Sequence, residues 1–92
     1  MRAKALAELS KLGITSASFK ILCHLTFRGR PFKPKELAAE LGVKPATVRA
    51  RISELYRREL LTLDLRGYSS NVWPYDILMK ILKNSREGKA KN

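Results

Sequence analysis

Pro34 and Pro45 stand eleven residues apart with Gly42 between them, and that punctuation leaves few folds open to the chain. Proline suits the first turn of a helix, where its missing N–H is no loss, and glycine suits the position just past a helix end. The spacing predicts one helix from Pro34 to Gly42 and a second from Pro45 to about Arg58, joined by Gly42-Val43-Lys44. Leu37, Ala38 and Leu41 give the first helix an apolar side. Val48, Ile52 and Leu55 give the second a stripe at steps of four and three. Ala38 is small enough to let the helices approach closely. Gly42 permits a turn conformation that a Cβ resists, and Val43 fills the angle between the two.

Around this pair the same reading extends to both ends. Residues 2–12 read as a helix with Leu6, Leu9 and Leu12 on one side and Gly13 as its C-cap. Thr15 or Ser16 opens a second helix to about Arg28, with Phe19, Ile21, Leu22 and Leu25 as its core residues and Gly29 closing it. Arg30 to Lys33 form a connector. After Arg58, Leu60 to Arg66 alternate Leu with Thr, Asp and Arg as a strand does, and Gly67 to Asn71 read as a turn. Val72-Trp73 then make a short return strand, and Pro74 starts a last helix carrying Ile77, Leu78, Ile81 and Leu82. The order is helix-helix-helix-helix-strand-strand-helix. The fold class is mostly α with a short β-hairpin, and a lone hairpin must lean on the helices to be stable. A single domain, 1–92, is expected: an N-terminal helix at 1–12, a core at 15–73, a C-terminal helix at 74–85 and a basic, frayed tail at 86–92.

Charge narrows the function. Nineteen Lys and Arg face eight Asp and Glu, a formal +11, which points to a polyanionic partner. Residues 28–58 alone hold nine Lys or Arg against three Glu. No apolar run approaches the roughly 20 residues that span a bilayer, and Glu8, Ser10 and Lys11 interrupt any signal-peptide core, so a cytoplasmic protein that does not engage a membrane is expected. The single Cys23 rules out an intrachain disulfide and reads as a buried thiol. His24 reads as a satisfied helical histidine rather than a metal ligand. No phosphate loop, no nucleophile beside a base and no close carboxylate pair is present, so neither an enzyme nor a cofactor is expected. Dense charge without a single Gln fits a thermophilic source.

Two helices meeting at a tight Gly turn form the helix-turn-helix of DNA readers. Residues 34–66 resemble the winged helix-turn-helix of the MarR, PadR and related regulators, and the resemblance extends over about 15–73. Two departures stand out: Lys44 replaces the Ser or Thr usual before the reading helix, and the wing is short, with Pro74 cutting off its second strand. The resemblance implies a double-stranded-DNA-binding protein that reads a palindrome as a homodimer and acts as a transcriptional regulator. Small archaeal plasmid and viral proteins share the helix order, including PadR-like centromere-binding proteins of plasmid segregation that spread on DNA beside a partner ATPase, and the sequence leaves that alternative open. No effector domain is evident, so small-molecule sensing is not expected.

With Val48 at the centre of the buried side, steps of 100° place Ala46, Ala50, Ser53 and Arg57 directly outward, flanked by Thr47 and Arg49. Small residues let a helix sink into the major groove, about 12 Å wide. Arg49 is the candidate for a bidentate contact to guanine. Lys33, Lys35, Lys44 and Arg57 are candidates for phosphate. Arg66, Tyr68, Ser69 and Ser70 are placed at the wing turn, against backbone or minor groove. Arg51 and Arg58 lie beside the buried stripe and read equally as partners of Glu54, Glu40 or Glu59. Trp73 reads as a core or interface residue. The last helix carries an apolar arc of about 200° (Ile77, Ile81, Leu78, Leu82, Met79), wider than the roughly 100° that one core contact needs. A dimer interface is therefore expected on Leu6, Leu9, Ile77, Leu78, Ile81 and Leu82.

Overall fold

The computed structural model describes the backbone of residues 2–91 and the side chains of residues 3–85. The elements run α1 (Arg2–Lys11), α2 (Ala17–Arg28), α3 (Pro34–Leu41), α4 (Pro45–Arg57), β1 (Leu61–Asp64), β2 (Gly67–Ser70) and α5 (Pro74–Lys91). The class expected from the sequence is the class observed: five helices and a two-stranded antiparallel hairpin.

The central pair folds as its punctuation dictates. Gly42 takes the left-handed conformation at φ 66°, and the Val43 amide reaches back to Ala38 O at 3.1 Å, closing α3 and turning the chain into α4. Leu37, Ala38, Val48, Ile52 and Leu55 are buried together. Ser16 caps α2 through its Oγ, which accepts the Phe19 amide, and Phe19, Ile21, Leu22 and Leu25 are buried as expected. The end of α4 is built without glycine. Glu59 stands at φ 62°, its amide bonds Tyr56 O at 2.9 Å and the Leu60 amide bonds Leu55 O at 3.0 Å. Burial of Leu55 and Leu60 against each other's end of this turn holds Glu59 in a conformation it would not choose alone.

Three expectations are corrected. Helix α1 ends at Lys11, and Gly13 does not adopt a left-handed cap. Its buried side is Ala5 and Leu9, continued by Leu12 just past its end, with Leu6 left exposed; Glu8 meets Arg58 (3.0 Å) and Lys4 meets Glu59 (2.8 Å) across to the end of α4. The hairpin turns earlier than expected. Residues 65 and 66 are the turn, residues 67–70 are the return strand, and Val72-Trp73 are not a strand at all. Asp64 pairs with Gly67 and Leu61 with Ser70, and both turn residues have negative φ. That is the type I arrangement, for which Asp at the first position and Gly at the fourth are favoured.

Gly67 belongs to the strand because Phe32 lies against it. Phe32 N donates to Tyr68 O at 2.9 Å, Tyr68 N donates to Phe32 O at 2.8 Å, and Phe32 is wholly buried. The connector thus adds a one-residue third strand that anchors the wing to the helices. The third correction concerns the C-terminus: α5 continues past Ser85 to Lys91, so the tail expected at 86–92 is helical as far as Lys91. The side chains of 86–92 lie outside the described residues.

Candidate nucleic-acid interface

Helix α4 presents the face the periodicity assigns to it. Ala46, Thr47, Arg49, Ala50, Ser53 and Arg57 are all exposed, as are Lys33, Lys35 and Lys44 at the starts of α3 and α4. The helix is held from behind by Val48, Ile52 and Leu55.

Most carboxylates are tied to other cations, while Glu36 lies at the α3 start in a groove with Lys33. Glu8 binds Lys11 and Arg58; the first and then the second hold its carboxyl below the ordinary range. Glu40 binds His24 and Arg28, both at 2.8 Å, and its pKa is lowered mainly by the His24 hydrogen bond. Glu54 takes Arg51 and Arg58, Glu59 takes Lys4, and Glu36 lies 3.9 Å from Arg30. Arg51 and Arg58 are therefore ion-paired, with Glu8 as the partner sequence reading missed. Among the described residues, Lys33, Lys35, Lys44, Arg49 and Arg57 have no carboxylate within ion-pair distance. Part of the surplus positive charge is therefore left on the outer surface of the helix pair, and Lys20 and Lys83 carry more of it elsewhere.

The start of α4 differs from the two other helices that open on proline. In α3, Glu36 Oε1 accepts the Lys33 amide at 2.9 Å, and in α5, Asp76 Oδ2 accepts the Trp73 amide at 2.7 Å. Both are acids at the third helical position, where they also suit the helix dipole. In α4 that position is Thr47, and Lys44 makes no side-chain cap. The start of α4 therefore carries no acidic cap and is left electropositive. Thr47→Glu should copy the α3 and α5 pattern and raise stability by roughly 0.5–1 kcal/mol, seen in denaturant melts. It should also weaken duplex binding more than tenfold, and a loss of stability together with intact binding would reject this account.

The wing brings fewer of its expected residues to the interface. Arg66 lies at the turn with its side chain exposed, bonded to Asp64 Oδ2 at 3.0 Å. Asp64 also accepts the Arg66 amide at 2.7 Å, and these bonds lower its pKa. Tyr68 and Ser69, expected at the turn, sit on β2 and are half-buried. Tyr68 packs edge-on against Tyr56, with ring centroids 5.9 Å apart, so it is a wing anchor rather than a tip. Ser70 lies deeper, 2.7 Å from Thr26 Oγ1. Sequence reading missed Arg30, whose guanidinium stacks 3.7 Å over the Phe32 ring. Its groove at the α3 start is shared with Lys33, Glu36, Leu65 and Arg66.

The dimer residues also divide. Leu9 and Ile77 are buried in the chain's own core and leave the list of surface contacts. Leu6, Leu78, Ile81 and Leu82 are exposed, with Trp73 at 62% and Tyr75 at 64% nearby in sequence. Leu6, Met79 and Tyr75 line a groove between α1 and α5 floored by Leu9 and Leu12. His24 is half-buried and satisfied by Glu40. Cys23 is half-buried, and burial raises its thiol pKa. Among the described residues no helix is long and apolar enough to cross a membrane, and no group of three or more His, Cys, Asp and Glu is gathered. No protein-family profile, curated protein or solved structure matches the chain.

Proposed function

We propose that this chain is a homodimeric DNA-binding protein of the winged helix-turn-helix type that reads a palindromic duplex site with α4 and regulates transcription. The observation that carries the reading is the set of unpaired cations, Lys33, Lys35, Lys44, Arg49 and Arg57, gathered on the exposed side of the helix pair. A helix with Ala46, Ala50 and Ser53 outward has a shallow relief that suits entry into a major groove. Lys33, Lys35 and Lys44 at the rims suit phosphate, and Arg49 on the flank suits a base edge. No catalytic or cofactor-dependent step belongs to this proposal. The natural setting is nucleoid or plasmid DNA.

The test separates reading from positioning. A selected duplex site and a scrambled duplex of equal length are titrated with each variant. Arg49→Ala should cost about 1–3 kcal/mol on the selected site and much less on the scrambled one. Lys35→Ala should weaken both alike. Equal losses for Arg49→Ala on both duplexes would remove its reading role, and no protection of any duplex would remove the function. A footprint that stays on one palindrome as protein is added supports a regulator. One that lengthens steadily supports a protein that spreads along DNA.

The homodimer in this proposal is supported by the exposed apolar residues of α5. Of its apolar arc only Ile77 is buried, while Leu78 at 50% and Leu82 at 52% face outward with Met79 and Ile81. Reading a palindrome requires that a second copy placed there set the two α4 helices about one DNA turn apart. Leu82→Glu should give a folded monomer that binds a palindrome at least tenfold more weakly, since it loses the linked second half-site. Sedimentation equilibrium of the unmutated protein at tens of micromolar decides the point: a monomer there rejects the dimer.

A further inference from the structure

Leu65 is 98% exposed, the most exposed large apolar residue among the described residues, and it stands at the apex of the wing. Nothing in the fold requires an apolar residue there. Leu65 is the second residue of the Asp64–Gly67 turn, a position that most residue types accept, and a leucine held in water gains nothing from it. Charges of both signs surround it, with cations in excess: Asp64 precedes it and Glu36 lines the groove beneath it. Arg66 follows it with a side chain 76% exposed, and Arg30 and Lys33 share the groove beneath it.

The tip is also backed by a rigid base. The paired Phe32–Tyr68 hydrogen bonds fasten β2 to the connector one residue beyond Gly67. Gly67 lies directly on the Phe32 backbone, and Asp64 pins the Arg66 amide. An apolar side chain on a stiff point with cations in excess around it fits a partner that is anionic outside and apolar inside. Stacked base pairs between phosphate chains have that chemistry, and apolar wedges are a recurrent way to open a base step from the minor groove.

We infer that Leu65 is such a wedge: with α4 in the major groove, the wing tip enters the neighbouring minor groove, and Leu65 partly unstacks a step and bends the duplex. This rests on the proposed duplex binding and adds to it a deformation of the DNA. Because leucine makes no hydrogen bond, the wedge acts on duplex of any sequence. A ligase closure assay on a mixed-sequence fragment of about 150 bp, near the persistence length, reads bending directly. The unmutated protein should speed circle formation about tenfold, and Leu65→Met should retain that effect.

Leu65→Ala should lose the acceleration and bind about tenfold more weakly with the same salt dependence, since an apolar contact and no charge is removed. At an exposed apex neither variant disturbs the fold. If the protein shifts the fragment in a gel but does not speed closure, or if Leu65→Ala speeds it equally, the wedge is wrong while duplex binding stands. If Leu65→Ala bends DNA normally but alters self-association, the tip is a protein contact and the wedge is again wrong. If no duplex is shifted at all, duplex binding and the wedge fall together.

Discussion

Raising the salt from about 50 to about 200 mM should weaken duplex binding roughly ten-thousandfold. In the proposed dimer each subunit would offer Lys33, Lys35, Lys44 and Arg57 to phosphates, and none of these is neutralised by a carboxylate among the described residues. Such a dimer would displace the counterions of about eight phosphates, and log K should fall against log salt with a slope near −7. The magnitude depends on where the acids sit. Had Glu40 and Glu54 been paired with those cations, internal pairs would have to break on binding and the gain would shrink. Instead Glu40 is tied to His24 and Arg28, and Glu54 to Arg51 and Arg58. Lys33→Ala with Lys35→Ala should reduce the slope by about 3–4 in the dimer. A slope shallower than about −2 for the unmutated protein would mean that this surface is not the binding face.

The part of the site that rests on local rules was legible in the sequence. Proline, glycine and a stripe at steps of three and four fix the two helices, their turn and the outward face of the second, because every determinant lies within a dozen residues. Parts set by distant partners were not. A wheel drawn on the first helix cannot choose between Ala5 and Leu6 as inner residue; the choice depends on how the helix packs on the rest of the domain, where Ala5 joins the core and Glu8 meets Arg58. Leu9 and Ile77 read as surface for the same reason, since burial by another element leaves no trace in their own spacing. In the wing, the alternating leucines were misleading: Leu61 is buried, but Leu63 is 52% exposed and Leu65 is in open water. The signal that locates the turn was present as Asp64-Leu65-Arg66-Gly67, Asp first and Gly fourth, and it was overridden by reading Gly67 as the start of a loop. Only Phe32, a residue from the other side of the helix pair, shows why a glycine belongs inside that strand.

Gly67→Ala should destabilise the protein more than a substitution at any other described glycine, by about 3–4 kcal/mol. Gly67 has φ 130°, a region that side chains rarely enter, and a Cβ built there would lie 2.4 Å from both C and O of Phe32 and 2.8 Å from Lys33 N. All three atoms are backbone, and they are held in place by the Phe32–Tyr68 pair and by the start of α3, so no side-chain rotation relieves the clash. Two costs add: roughly 1–3 kcal/mol for the backbone conformation and a similar amount for forcing apart a packed contact. For a domain of this size each kcal/mol lowers Tm by about 4–8 °C, so a fall of about 15–25 °C is expected in a thermal melt. Gly29→Ala is the internal control. Gly29 is also left-handed, at φ 67°, but nothing lies within 4 Å of its would-be Cβ, so it should lose only the conformational part, about 1–2 kcal/mol. The difference between the two variants isolates the close approach of connector and wing. Equal losses at Gly67 and Gly29 would show that the connector does not press on the hairpin, and would remove the rigid base on which the wing tip stands.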